Sequence, residues 1–231
     1  MREKVIMSWS GGKDSALALY EIQRSGKYEV VSLLTTINED YDRISMHGVR
    51  RVLLERQAQL LGLPLEKIFL PKDVSNEDYE SKMEDVLSRY KKDGIGSVVF
   101  GDIFLEDLRR HREDNLSKVN MSGIFPIWKV DTGELANKFI DSGFQAVITC
   151  GDSQVMDKKF VGRDFDRELL AELPGDVDPC GENGEFHSFV HNGPNFGHPI
   201  DYIKGEVVLR ENRFCFCDIL PVEQSSDLIS P

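Results

Sequence analysis

The chain has 231 residues, a net charge of −12 and a pI near 4.9, with 40% hydrophobic and 29% charged residues. That is the balance of an ordinary globular protein, with length for one large domain or two small ones. The acidity argues against a nucleic-acid surface, and the charged start Met1-Arg2-Glu3-Lys4 argues against a secretory leader. No apolar run nears the roughly 20 residues of a membrane helix, and four cysteines are too few for a disulfide framework, so a cytoplasmic location is expected.

Apolar runs alternate with helical patterns along the first two thirds, as in a parallel sheet with crossover helices. Residues 4–9 read as a strand, 16–25 as a helix closed at Gly26, and 30–37 as a second strand. A helix over 49–61 stops at Gly62, with Pro64 beyond, and a short strand follows at 68–70. Ser75 and Asp78 form a capping box for a helix to about residue 93. A strand at 97–100 leads into Gly101-Asp102, followed by a charged helix over 105–120, a helix over 132–142 and a strand over 144–150. Beyond Cys150 the texture changes: Gly, Pro, Asn and Asp punctuate 174–199, and 206–210 with 214–220 read as a hairpin about a Glu-Asn turn. The expected fold is α/β, a Rossmann-like doubly wound parallel sheet with a smaller α+β C-terminal domain. Its divisions fall at 1–127, 128–221 and a disordered tail at 222–231.

The run Ser10-Gly11-Gly12-Lys13-Asp14-Ser15, between the first strand and its helix, is built to hold phosphates. Adjacent glycines let backbone N–H groups approach anionic oxygens, and the helix aims its free donors and positive dipole end at the same place. Ser10 and Ser15 add hydroxyls, and Lys13 adds a charge. Asp14 suits bracing the loop or holding Mg²⁺. No Walker sequence is present; the run resembles the pyrophosphate-binding PP-loop of enzymes that split ATP between its α and β phosphates. In a doubly wound sheet three loops should meet beyond the strand ends: this one, the 35–47 segment and Gly101-Asp102. Met46-His47-Gly48 either lines the adenine side or is a simple turn.

A second constellation is Asp178-Pro179-Cys180-Gly181-Glu182-Asn183-Gly184-Glu185-Phe186-His187-Ser188-Phe189-Val190. Two carboxylates, an Asn and a His hinged by glycines can polarise a nucleophile, order a metal or orient an amine; an Asn-Gly turn with exposed charges is the plain alternative. Cys180 lacks the setting of a glutaminase nucleophile, and Cys215 and Cys217, alternating with Phe214 and Phe216, read as small buried strand residues.

Taken together, the PP-loop, Gly101-Asp102-Ile103 and Gly181 to Val190 are similar to the diphthine–ammonia ligase family of PP-loop ATPases, in order and spacing, over nearly the whole chain. The chain looks like the prokaryotic type, without the extra C-terminal domains of eukaryotic members. The resemblance implies ATP and Mg²⁺ as cofactors, and ATP, ammonium and a diphthine-bearing elongation factor 2 as partners. It also implies adenylation of a carboxylate with release of AMP and pyrophosphate, then amide formation. No membrane or nucleic acid is expected, and a homodimer is an open assembly. Ser10, Gly11, Gly12, Lys13, Asp14, Ser15, Gly101 and Asp102 are expected at the nucleotide, with Asp14 toward the metal. Lys13, Glu182, Asn183, Glu185 and His187 are expected in catalysis. Glu185 or His187 is the expected base, and Glu182 a binder of ammonium or metal. A tRNA-modifying PP-loop enzyme and a non-catalytic nucleotide sensor are the rivals; acidity and the lack of Cys-x-x-Cys weigh against the first, and the Glu182–His187 cluster against the second.

Overall fold

The structure is a computed structural model that describes residues 2–44 and 48–222. The expected Met46-His47 contribution and most of the expected tail lie outside the described residues. Six strands form the first sheet: β1 (Glu3–Ser8), β2 (Tyr28–Asn38), β3 (Arg43–Ile44), β4 (Leu65–Leu70), β5 (Ser97–Val99) and β6 (Ser122–Ile124). β1 pairs in parallel with both β2 and β5, β5 with β6, and β2 with β4. The chain thus moves outward from β1 in one direction, then crosses back to build the other half. The crevice at this reversal opens at the end of β1, where the PP-loop lies. The short β3 is antiparallel and takes the side of β2 that β1 vacates after Ser8.

Four helices connect these strands: α1 (Lys13–Arg24), α2 (Arg51–Leu61), α3 (Asn76–Lys92) and α4 (Glu106–Lys118). Helix α1 buries Ala16, Leu17, Ala18, Leu19 and Ile22 on one face of the sheet, while α3 buries only Val86 and Leu87 on the other. Ser75 caps α3 by accepting from the Asp78 amide at 3.1 Å. Its hydroxyl also donates to the Asp78 carboxylate at 2.7 Å, a side-chain closure in place of the usual return to the cap's backbone N–H.

The remaining chain adds α5 (Thr132–Asp141), α6 (Arg167–Glu172) and an antiparallel sheet in the order β8-β7-β10-β9. Its strands are β7 (Gln145–Asp152), β8 (Phe186–Asn192), β9 (Tyr202–Arg210) and β10 (Phe214–Pro221). Asp131, not the threonine that follows it, caps α5 by accepting from Glu134 N. The hairpin turns at Glu211 and Asn212, both at φ 52°, as a type I′ turn requires. Cys215 and Cys217 are buried, as their alternation implied. Three strands escape the sequence pattern, the two-residue β3 among them. β6 is three residues with a central glycine, and β8 begins inside the polar cluster, whose density masks its alternation.

A single apolar cluster runs from β1 and α1 through Phe139, Phe165 and Phe186 to Val190. The edge of the second sheet therefore rests on the PP-loop side of the first.

Candidate active site

A cleft of about 470 Å³ opens where the two sheets meet. Its floor is the PP-loop. Gly11 sits at φ +75°, and a Cβ there would lie 2.7 Å from Gln57 Oε1. Gly12 is the N-cap of α1 and contributes no side-chain cap, which leaves the first helical turn open to an anion. The loop's hydroxyls hold one another: Ser10 Oγ and Ser15 Oγ are 3.1 Å apart, and Ser15 Oγ donates to Gly12 O at 2.9 Å. Gly101 packs its Cα against this turn; an added Cβ would lie 2.8 Å from Asp14 C and Ser15 N. No side chain larger than hydrogen lets the β5 loop approach α1 so closely.

Lys13 takes an unexpected direction. Its side chain is buried, and Nζ donates to both carboxylate oxygens of Asp14, at 2.9 and 2.8 Å, and to the Cys180 carbonyl. The ammonium sits 5.3 Å from the Phe186 ring centre and 5.8 Å from that of Phe165. Burial alone would push it down, but the Asp14 carboxylate, with Glu182 further off, more than offsets this and holds the group above its ordinary value. Lys13 therefore fastens the PP-loop to the second constellation. Its amide extends the seam by donating to Ser188 Oγ at 3.2 Å.

The opposite wall separates its acidic residues. Glu182 lines the cleft, and its Oε1 accepts from the amides of Ile103 (2.7 Å) and Phe104 (3.3 Å), beyond β5. Burial pushes its pKa up to about 7 against these two hydrogen bonds, with the charge of Asp14 adding to the rise. His187 also lines the cleft, and burial, aided by Lys13, pushes it down to about 4, so its imidazole is neutral at pH 7. Glu185 instead turns inward: its Oε1 accepts from Asp178 N (3.1 Å) and Asn183 Nδ2 (3.0 Å), while buried Oε2 has no hydrogen-bond partner among the described residues. Asp178 Oδ1 accepts from Cys180 N and Glu182 N, closing the turn. Burial pushes the Cys180 thiol up to about 12, which makes it unreactive.

Asp102 borders the cleft, but its carboxylate is held by Arg112, at 2.5 and 3.1 Å. Arg112 stacks 4.5 Å from the Phe100 ring centre, and Arg109 lies over Phe125 and Trp128. These arginines thus tie α4 to the segments that follow β5 and β6, and Arg112 itself lines the cleft. Ser10, Gly12, Lys13, Asp14, Ser15, Gly101, Asp102, Glu182 and His187 meet at the cleft, whereas Gly11, Asn183 and Glu185 support it from behind.

Three contributors were given no role of their own in the sequence, although Thr35 opens the 35–47 segment and Ser188 lies within the second constellation. Gln57, fully buried, accepts from Trp9 Nε1 (2.9 Å) and donates to Gly11 O (3.0 Å) and Val190 O (2.6 Å). Its signal was a lone polar residue on the apolar face shared with Leu53 and Leu54. Thr35 lines the cleft near Leu34 and Phe100, and its buried hydroxyl lacks a hydrogen-bond partner among the described residues, an acceptor or donor ready for a ligand. Ser188 belongs to that constellation and lies buried in β8, where its hydroxyl accepts from Lys13 N.

Residues 3–121 match the family model described as the diphthamide synthase N-terminal domain, and residues 131–221 match the C-terminal domain of the same name. Among curated proteins, the diphthine–ammonia ligase of Schizosaccharomyces pombe is 28% identical over 225 residues, covering 89% of this chain and 37% of that protein. Those of Bos taurus and Homo sapiens are 26% and 25% identical, over 86% and 87% of this chain and 82% and 83% of theirs. The chain thus spans little more than a third of the yeast relative and most of the mammalian ones. A U34-tRNA thiolase from Methanococcus maripaludis superposes over 60% of this chain and 56% of its own, with 15% identity and a TM-score of 0.37, too loose to bear on fold or function. Both halves of the chain carry the family's models in order, and the chain belongs to the diphthamide synthase family.

Proposed function

We propose that this chain is an ATP-dependent ligase that adenylates the carboxylate of diphthine on elongation factor 2 and converts it to the amide with ammonia. The observation that carries this reading is the meeting of an open α1 N-terminus with the Glu182 carboxylate across one cleft. The two halves correspond to the family segments, with a boundary near residue 128, and the protein acts in the cytoplasm; among the described residues no helix is long and apolar enough to cross a membrane.

In the proposed first step a carboxylate oxygen attacks the α-phosphorus and pyrophosphate departs. Charge gathers on the leaving group, so donors fixed around it stabilise the transition state more than bound ATP. The amides of the first turn of α1 and the Ser10 and Ser15 hydroxyls suit that task; Thr35 and the apolar wall of Leu34 and Phe100 suit the purine. Mg²⁺ supplies charge neutralisation on the phosphates. It would be held by the phosphates themselves together with Asp14, the carboxylate that lines the cleft beside the PP-loop. Asp14, whose two oxygens accept from Lys13, would share its carboxylate between the two cations.

In the second step neutral ammonia attacks the acyl carbon, the bond to AMP breaks, and the nitrogen sheds a proton. Glu182, near neutrality and held by two backbone donors, is placed to take that proton; neutral His187 is placed to orient the amine. Lys13, Asn183 and Glu185 act by positioning this wall. The test is incubation of diphthine-bearing elongation factor 2 with the protein, ATP, Mg²⁺ and ammonium. Amide on the modified histidine peptide by mass spectrometry, with AMP and pyrophosphate released, is the expected result. ADP and phosphate as main products would overturn the adenylation chemistry, and pyrophosphate release without amide would overturn the acceptor alone.

A further inference from the structure

β9 is the last strand of the antiparallel sheet, and among the described residues it pairs only with β10. Residues 206–210 are all exposed. Of the nine large hydrophobic side chains exposed on the described surface, Ile203, Val207, Val208 and Leu209 belong to this strand, Leu209 at 56%. Edge strands are usually blunted by charge, proline or brevity, because their free N–H and C=O groups recruit another strand. Val207-Val208-Leu209 runs uninterrupted, and a bulge that sets Gly205 and Glu206 opposite Asp218 confines the regular edge to residues 207–210.

The hydrogen-bonding phase of this edge is fixed. Arg213 N donates to Arg210 O at 3.0 Å, so the peptide groups of Arg210, and by alternation those of Val208, face β10. Those of Val207 and Leu209 therefore face outward. About Val208 the sequence is self-complementary when read antiparallel: Val207 meets Leu209, Val208 meets itself, and Glu206, at the bulge that ends the regular edge, comes beside Arg210 at both ends. Of the neighbouring registers in the same phase, centring on Val207 sets Lys204 against Arg210, and centring on Leu209 sets Glu206 against Asn212. Lys204 is already paired with Asp164 at 2.8 Å, and Arg210 lies over the Phe216 ring, at 5.9 Å, with no ion pair among the described residues.

We propose that two copies of this chain join through β9, antiparallel and centred on Val208, making one continuous eight-stranded sheet. The contact is isologous, so it closes at two copies. Strand-to-strand hydrogen bonds from Val207 and Leu209 supply the backbone term, and the paired Glu206 and Arg210 select the register.

Sedimentation equilibrium of the full chain across micromolar concentrations tests this, with a mass of twice 26.2 kDa expected. Val208→Lys, which sets two cations face to face, should give monomer with an unchanged circular dichroism spectrum. Glu206→Arg and Arg210→Glu should each weaken the dimer, and the two combined should restore it. Val208→Cys should cross-link under mild oxidant, whereas Leu209→Cys, facing Val207, should not. A wild-type monomer at every concentration, a dimer indifferent to Val208→Lys, or a combined swap that fails to restore association would overturn the proposal. The charge variants lie at exposed positions, so they read the register even if Val208→Lys perturbs folding.

Discussion

The two walls of the cleft are built by opposite means. The PP-loop wall is mostly backbone: a left-handed Gly11, an uncapped helix start and a glycine at 101 so close that a methyl group would strike Asp14 and Ser15. The facing wall is side chain on a tight turn, and within four residues its carboxylates part ways, Glu182 toward the cleft and Glu185 into the turn. A backbone site tolerates little substitution but needs few particular side chains. A side-chain site depends on which group the turn presents.

The largest effect should come from the residue that ties the walls together. Lys13→Met leaves the half-buried Asp14 carboxylate and the Cys180 carbonyl without their cation and should cost about 2–3 kcal/mol, below the full range for a buried pair because Asp14 keeps contact with solvent. Denaturant unfolding measures it, and Lys13→Met with Asp14→Asn should recover much of the loss. Full recovery of stability without recovery of turnover would separate fastening from phosphate binding. Gly101→Ala, next in size, forces the β5 loop from α1 and should cost about 1–3 kcal/mol while weakening ATP binding. Unchanged nucleotide affinity, measured by calorimetry, would show that the close approach is dispensable.

The facing wall gives a sharper contrast. Glu182→Gln should leave stability nearly intact and lower turnover about 100-fold. Its base form is the anion, so wild-type amidation at fixed ammonia should rise with pH through about 7, and the variant should lose that limb. His187, already neutral above about pH 4, should add no inflection near neutrality. Glu185→Ala should show the reverse pattern. Asp178 N and Asn183 Nδ2 lose their acceptor, costing about 1–3 kcal/mol, with turnover falling only as far as the turn loosens. Equal kinetic damage from both variants would erase the distinction between them. The smallest effect is remote from the cleft: Glu211→Asn with Asn212→Gly should raise stability by about 1 kcal/mol, because both positions are left-handed.

Much of this was legible in the sequence because it is local. A Gly-Gly turn after an apolar run states its own backbone geometry, and helix stops and the hairpin turn are marked within a few residues. The partition of Glu182 from Glu185 was not legible, since it depends on the amides of Ile103 and Phe104, about 80 positions away. The direction of Lys13 was hidden for the same reason: Cys180 O and the Phe165 and Phe186 rings come from the other sheet. Thr35 looked like any strand threonine until its neighbours were placed and its hydroxyl found no partner among the described residues.

Gln57 has a consequence for how the molecule comes apart. One amide side chain on α2 bonds to the strand before the PP-loop, to the loop itself and to β8 of the other sheet. Val190 N then donates back to Gly11 O at 2.9 Å. Neither sheet can open without exposing buried polar groups of the other, so the two halves should share one cooperative unit rather than melt as separate foldons. The Val190 amide would then exchange with solvent deuterium only through global unfolding, and its protection would track total stability as denaturant is raised.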